Sequence, residues 1–296
     1  GIVDVYTSKT TDLLMAQSIP TLTGYARTYA NVGKTKNFGY DLTFNFVPVR
    51  TKDFEWNIGV NAAYSRNEIV SLANGKEDDP ANGWFIGEST NSIYTYESAG
   101  LWKEEDRADM EKFNANGHDF QIGMARPVDQ NGDYKIDANN DRTIVGHYDP
   151  RWTLGLNTNF TYKGWDLGIQ LYGRMGFKYY DSSVWVGGRY NVRDYDYYNE
   201  NNKNAAHPKP IYDEGGKDAY YNETYLKNGS YLKIRNISLG YTFPNRLLTH
   251  TGLSALRMYA QIKNPGYIFS GCKTLDLDTY SNTYNSGFTF GLNLSF

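Results

Sequence analysis

The chain has one cysteine, Cys272, among 296 residues. An intrachain disulfide and a cysteine-built zinc site are therefore excluded, and Cys272 reads as a loop thiol. Basic residues are not in excess: 30 Lys and Arg stand against 33 Asp and Glu, a formal net charge of −3. With no basic stripe or dense Lys/Arg run, nothing selects a nucleic-acid partner. No run of 18 apolar residues exists, which excludes a transmembrane helix. It does not exclude a transmembrane barrel, whose alternating strands average to low hydropathy; the mean hydropathy here is −0.64. Four histidines, His118, His147, His207 and His250, lack metal-ligand spacing. No nucleophile elbow or other catalytic constellation stands out, so no enzyme is expected. A start Met and a signal peptide are also missing. The chain opens at Gly1 on what already reads as a strand, so a processed product or a piece of something longer is expected.

What is abundant is aromatic. There are 27 Tyr, 14 Phe and 6 Trp, with frequent Gly and without a dominance of Leu and Ala. This is a β-type composition. The C-terminal residues "GFTFGLNLSF" alternate: Phe288, Phe290, Leu292, Leu294 and Phe296 share one face, and small polar residues share the other. A period of two is the strand signal. It recurs in Trp152, Leu154, Leu156, Phe160 and Tyr162, then beyond "YKG" in Trp165, Leu167, Ile169 and Leu171. Further runs follow Phe38–Phe46, Trp56–Tyr64, Ile237–Phe243 and Leu256–Ile262.

Eight strands are predicted, near 1–9, 33–49, 54–71, 151–163, 165–177, 231–243, 255–269 and 286–296. The connections alternate: 50–53, 163–165 and 244–254 are short, whereas 10–32, 72–150, 178–230 and 270–285 are long and polar. Short turns at one end and long loops at the other are the habit of an outer-membrane barrel. Trp56, Trp152, Trp165, Tyr162, Tyr241 and Phe243 lie at strand ends, where a barrel places its interfacial girdles. A soluble sandwich with core aromatics is the competing reading. The inward positions are mostly Gly, Asn, Thr and Ser, too slight to fill a closed eight-stranded barrel. The expected fold is all-β: an antiparallel transmembrane arc of about eight strands with long external loops. The rest of the wall must come from other residues, because open edges in lipid leave backbone groups unpaired.

Within the 72–150 connection, "VDQNGDYKID" places Asp129, Asn131 and Asp133 at alternate positions, then the Lys135 carbonyl and Asp137. These are oxygen ligands at calcium spacing. Tyr134 sits where an EF-hand has Gly, and Asn140 where it has a bidentate Glu. The alternative is a loop held by side-chain-to-backbone hydrogen bonds. No cofactor is required, and calcium is the one candidate. For substrate or partner contact the candidates are the loop aromatics Trp84, Phe85, Tyr94, Tyr96, Trp102, Trp185 and Tyr190, whose faces suit sugar rings or peptide side chains. Packing the loops together is the alternative for each.

Several stretches resemble SusC/RagA-type TonB-dependent transporters: "DQNGDYKIDANNDRTIVG", "HYDPRWTLGLNTNFTYKGWDLGIQLYG", "YLKIRNISLGYTFPNRLL", "LRMYAQIKNP" and "FTFGLNLSF". "TSKTTDLLMAQSIPTLTGY" also fits, and "SAGLWKEEDRADM" resembles the family's external helix. The resemblance implies that residues 1–296 are the C-terminal part of a 22-stranded barrel, with plug and N-terminal domains outside this chain. It further implies a Bacteroidota outer-membrane location and import of glycans or peptides. The implied partners are the remaining strands and plug, a SusD-like surface lipoprotein, TonB through the N-terminal part, and the lipid bilayer. The family's Asp-rich loop usually carries Gly at the position of Tyr134. Two alternatives stand beside this: a soluble carbohydrate-binding β-protein with a structural calcium loop, and an outer-membrane enzyme of small-barrel type.

Overall fold

The computed structural model describes residues 1–18, 27–73, 75–181, 195–210, 218–272, 275–279 and 284–296. Fourteen strands and one α-helix lie along these residues. They are β1 (Ile2–Ser18), β2 (Arg27–Arg50), β3 (Phe54–Ser71), β4 (Ser92–Tyr96), β5 (Ser98–Leu101), α1 (Arg107–Ala115), β6 (Ala125–Pro127), β7 (Arg142–His147), β8 (Trp152–Tyr162), β9 (Trp165–Met175), β10 (Lys178–Tyr180), β11 (Leu226–Asn228), β12 (Tyr231–Thr242), β13 (Ala255–Ser270) and β14 (Gly287–Ser295).

Eight of them form one sheet in the order β1-β2-β3-β8-β9-β12-β13-β14, and every neighbouring pair is antiparallel. Seven of these strands, all but β1, follow an alternating run of the sequence. One expectation fails: the 10–32 connection is mostly strand, because β1 runs on to Ser18 and β2 begins at Arg27. The polar, Thr-rich residues there pair in a long two-stranded extension, with Leu14 opposite Asn31 and Gln17 opposite Thr28.

The register puts the apolar residues in continuous rows. Phe44, Val60, Leu156, Leu171 and their neighbours face one side. Ile169, Ile237, Ile262 and Phe288 continue the rows across the later strands. This face is uncovered: Phe288 is 72%, Phe290 82% and Leu292 60% exposed. Thr158 interrupts it, and its hydroxyl is met by the Trp56 indole N–H at 2.9 Å. Aromatic rings band both ends. Trp56 stacks on Phe160 and Trp165 packs on Tyr241 near the short turns. Tyr40, Tyr64 and Trp152 gather at the loop end.

The other face is polar. Arg257 binds Asp166 through two hydrogen bonds of 3.0 and 2.6 Å. They cross over Gly240, where a Cβ would fall 2.6 Å from the Asp166 carboxylate. In β12, Arg235 is an extra residue against β9, a β-bulge between Ile234 and Asn236. Next to it Lys233, 1% exposed, reaches Asp276 at 3.4 Å and Asp278 at 3.0 Å. Arg235 also bonds Asp278, at 3.0 Å. These pairs fasten the connection after β13 to the polar face.

The buried core lies elsewhere. Among the described residues, only Ile69 and Tyr231 of the buried apolar side chains belong to the large sheet. The main cluster is Trp102, Met110, Phe113, Phe120, Met124 and Ile136, all in the connection between β3 and β8. Met110 and Phe113 come from α1, whose i, i+3 spacing turns both to one side. A second cluster joins Phe177, Tyr179 and Tyr231 to Cys272 and Leu277. A 3-10 turn, Asn245–Leu247, follows Pro244.

Candidate functional site

The long connections build a second layer of structure from three ribbons: β4 pairs with β7, β5 with β6, and β10 with β11. Their base is tied to the sheet by a polar knot. The Asn67 side chain donates to Asp149 at 3.0 Å and accepts from Ser89 at 3.0 Å; Asn91 donates to Asp149 at 2.9 Å. Arg151 donates to His147 at 3.0 Å. These groups hold β4 and β7 in place over the end of the sheet.

A cavity of about 400 Å³ opens beside that ribbon, lined by Asn82, Ser92, Tyr94, Thr95, Arg142, Tyr148, Tyr180 and Glu223 among others. A second cavity of about 390 Å³ lies next to it and shares Glu223 and Leu226; its wall includes Tyr96, Thr143 and Lys178. Glu223 therefore stands between two hollows. It is 8% exposed, and one carboxylate oxygen accepts the Thr95 hydroxyl at 3.3 Å. The other has no hydrogen-bond partner among the described residues. Burial raises its pKa to about 7, and the nearby Asp218 carboxylate acts in the same direction. Concave, aromatic and carrying a few polar groups, this is the form of a ligand site.

The aromatic candidates divide. Tyr94 lines the first cavity and Tyr96 the second. Phe85 packs on Tyr94 with ring centroids 4.6 Å apart. Trp84 stands near them in a tight turn, its N–H bonded to the Asp79 carbonyl at 3.0 Å. Trp102 is fully buried in the loop core, covered by the Arg126 guanidinium 4.6 Å from its ring. Trp185 and Tyr190 lie outside the described residues. The sequence reading did not single out Arg142, Tyr148, Tyr180 or Glu223. Glu223 and Thr95 are 128 positions apart, and no local signal joins them.

The Asp-rich loop is shaped by its own hydrogen bonds. The Asp129 carboxylate accepts the Gly132 and Tyr134 N–H groups at 2.7 and 2.8 Å. Asn131 accepts from Asp133 at 3.2 Å, and Asp133 from Lys135 at 2.8 Å. Asp137 accepts from Asn139 and Asn140. Tyr134 takes up the left-handed turn itself, at φ +59°. Asp141, fully buried, closes the loop by accepting the Gln130 and Asp137 N–H groups at 2.9 and 2.7 Å. Among the described residues no three His, Cys, Asp or Glu side chains gather as a metal site.

No family model matches the chain. It is 27% identical to TonB-dependent receptor P3 of Formosa agariphila, over 99% of this chain and 32% of that protein. It is 28% identical to TonB-dependent receptor SusC of Bacteroides thetaiotaomicron, over 100% of this chain and 30% of that protein. Among solved structures it is similar to the RagAB peptide transporter, with a TM-score of 0.71, 26% identity, and coverage of 99% of this chain and 33% of that one. The same importer in its open-open state gives a TM-score of 0.72 at 25% identity, covering 99% of this chain and 32% of that one. The chain thus spans about a third of the length of the relatives it matches. These homologues are outer-membrane transporters, and their family is not enzymatic. With its eight-stranded antiparallel sheet matching part of the RagAB transporter, this chain is partially homologous to the SusC/RagA-family TonB-dependent receptors.

Proposed function

We propose that residues 1–296 form the C-terminal part of an outer-membrane barrel that imports oligomeric nutrients, glycan or peptide, under TonB control. The large sheet is its wall and the ribbon layer its external face. The observation that carries this reading is the uncovered apolar side of the sheet. Leu239 and Met258 are nearly half exposed and Phe290 is 82% exposed, while the buried core sits in the loops. In water such a face is a liability; against lipid it is the correct surface. The aromatic bands agree with this. From Trp152 to Phe160 the strand covers about 26 Å, close to the apolar height of a barrel crossed at a tilt.

β1 and β14 each have one edge without a strand partner among the described residues. In a bilayer those edges need the other strands of a closed wall, so the plug and the remaining strands belong to the same transporter. A 22-stranded wall, a SusD-like lipoprotein over the loops and TonB at the plug complete the assembly. RagAB, a solved relative, is a peptide transporter; for this chain glycan and peptide both stand. The Asp129 loop braces the external face through Asp141 and its own backbone hydrogen bonds.

The test uses the full-length product that carries this sequence. It is expected to be extracted only by detergent, to migrate faster unboiled than boiled, and to lose oligomer uptake when TonB is deleted. Full solubility without detergent would overturn the reading in favour of a soluble carbohydrate-binding protein. Uptake that survives TonB deletion would overturn the energised-import part.

A further inference from the structure

Glu223 is the least explained polar group in the loop layer. It is more than nine-tenths buried, lines both cavities, and offers one oxygen to which no described residue donates. Buried polar groups are almost always paired. The remaining partner is whatever enters the cavity. Around the carboxylate the first cavity presents Tyr94, Tyr148 and Tyr180. Aromatic rings around a carboxylate favour a cation, through the negative charge of the acid and of the ring faces.

One cation already lines the first cavity: Arg142 is exposed, lies over the Tyr96 ring 5.2 Å from its centroid, and its charge acts weakly on Glu223 against the raising effect of burial. Lys178 belongs to the second cavity alone. Asp218, close enough to raise the Glu223 pKa, adds negative charge. The phenols of Tyr180 and Tyr220 are raised by burial and, in lesser part, by the Glu223 charge; they remain neutral at physiological pH.

We propose that the cavity bounded by Glu223, Tyr94, Tyr148 and Tyr180 is a binding site for a protonated primary amine. An amino sugar and a lysine side chain share that chemistry. The proposal rests on the external placement of these loops given above for the source of the ligand, but not for the binding itself.

The experiment is calorimetric titration of the detergent-solubilised full-length protein at pH 7.5 with glucosamine and lysine amide. Each is paired with its N-acetylated form. The amine forms are expected to bind about tenfold more tightly than the acetylated forms, and Glu223→Gln is expected to abolish that preference. The preference is expected to shrink as the pH falls from 8 to 5.5 and Glu223 takes up a proton. Glucosamine alone binding identifies an amino sugar, lysine amide alone a peptide side chain, and both an amine-only site. Equal binding of amine and acetylated forms by the wild type overturns the proposal, and so does a preference that Glu223→Gln leaves intact. Should Glu223→Gln lose its heat-modifiable migration, the pH series on the wild type decides. A preference that does not change with pH then overturns the proposal. Uptake is measured separately, so amine binding without import would defeat the transport reading and leave this site standing.

Discussion

The large sheet and the loop layer use apolar residues in opposite ways. In the loops Trp102, Met110, Phe113 and Met124 are buried against one another, as in a water-soluble domain. In the sheet Phe288, Phe290, Leu292 and Leu294 point out and stay uncovered. One chain thus carries a core that excludes water by self-packing and a surface that requires something else to exclude it. The lesson is that a burial census finds the core of this molecule in the segment that reads as loop.

Four measurements break or sharpen that contrast, in order of expected effect. Trp102→Ala removes the centre of the loop core and the seat of the Arg126 guanidinium. It is expected to destabilise the loop layer by about 3–5 kcal/mol. The readout is faster proteolysis across residues 98–141 with heat-modifiable migration of the sheet unchanged. Leu239→Arg puts a charge on the apolar face at a position 45% exposed. A water-facing site would tolerate it within about 0.5 kcal/mol; a lipid-facing site is expected to lose about 2–4 kcal/mol, read as reduced folded protein in the outer membrane. Asp141→Ala leaves the Gln130 and Asp137 N–H groups without their acceptor. The expected cost is about 1–3 kcal/mol, seen as new cleavage within residues 129–141.

The smallest effect is on pH. Folding raises the pKa of Glu223 from 4.5 to about 7, chiefly through burial. The folded loops then bind more protons than the unfolded chain between those values, so this contribution is complete below about 4.5 and is lost as pH rises through 7. Amide exchange around residues 221–226 is expected to be slower at pH 5.5 than at pH 8 once corrected for intrinsic rates. Glu223→Gln is expected to flatten that difference.

The sheet was legible because its signal is local. Every strand of it but β1 alternates within its own residues, and Phe288 to Leu294 or Trp165 to Leu171 announce their faces without reference to anything distant. The extension of β1 and β2 was missed because residues 10–18 and 27–32 mix polar and apolar side chains without that alternation. The loop layer was poorly legible for a related reason. The ribbon β4–β7 joins Ser92 to His147, and the polar knot ties Asn67 to Asp149; such pairings are set by tertiary closure. Tyr94 and Tyr96 could be singled out by residue type, as could Trp102, but type alone did not separate the two cavity residues from the buried one. Glu223 carried no signal beyond being one acid among many.

The bulge at Arg235 has a consequence for the parity of β12. Upstream of it the odd-numbered residues Tyr231 and Lys233 face the polar side, with Lys233 opposite Tyr172. Downstream the odd-numbered Ile237, Leu239 and Tyr241 face the apolar side, opposite Ile169, Leu167 and Trp165. The extra residue is a phase slip that lets one strand change which of its two alternating sets is greasy. Deleting Arg235 would set Ile234 next to Asn236 and leave both faces as they are; flattening the bulge with Arg235 kept in the pairing would instead drive one half of the strand inside out. Either Lys233 would be pushed into the apolar rows, or Ile237 and Leu239 would be withdrawn from them.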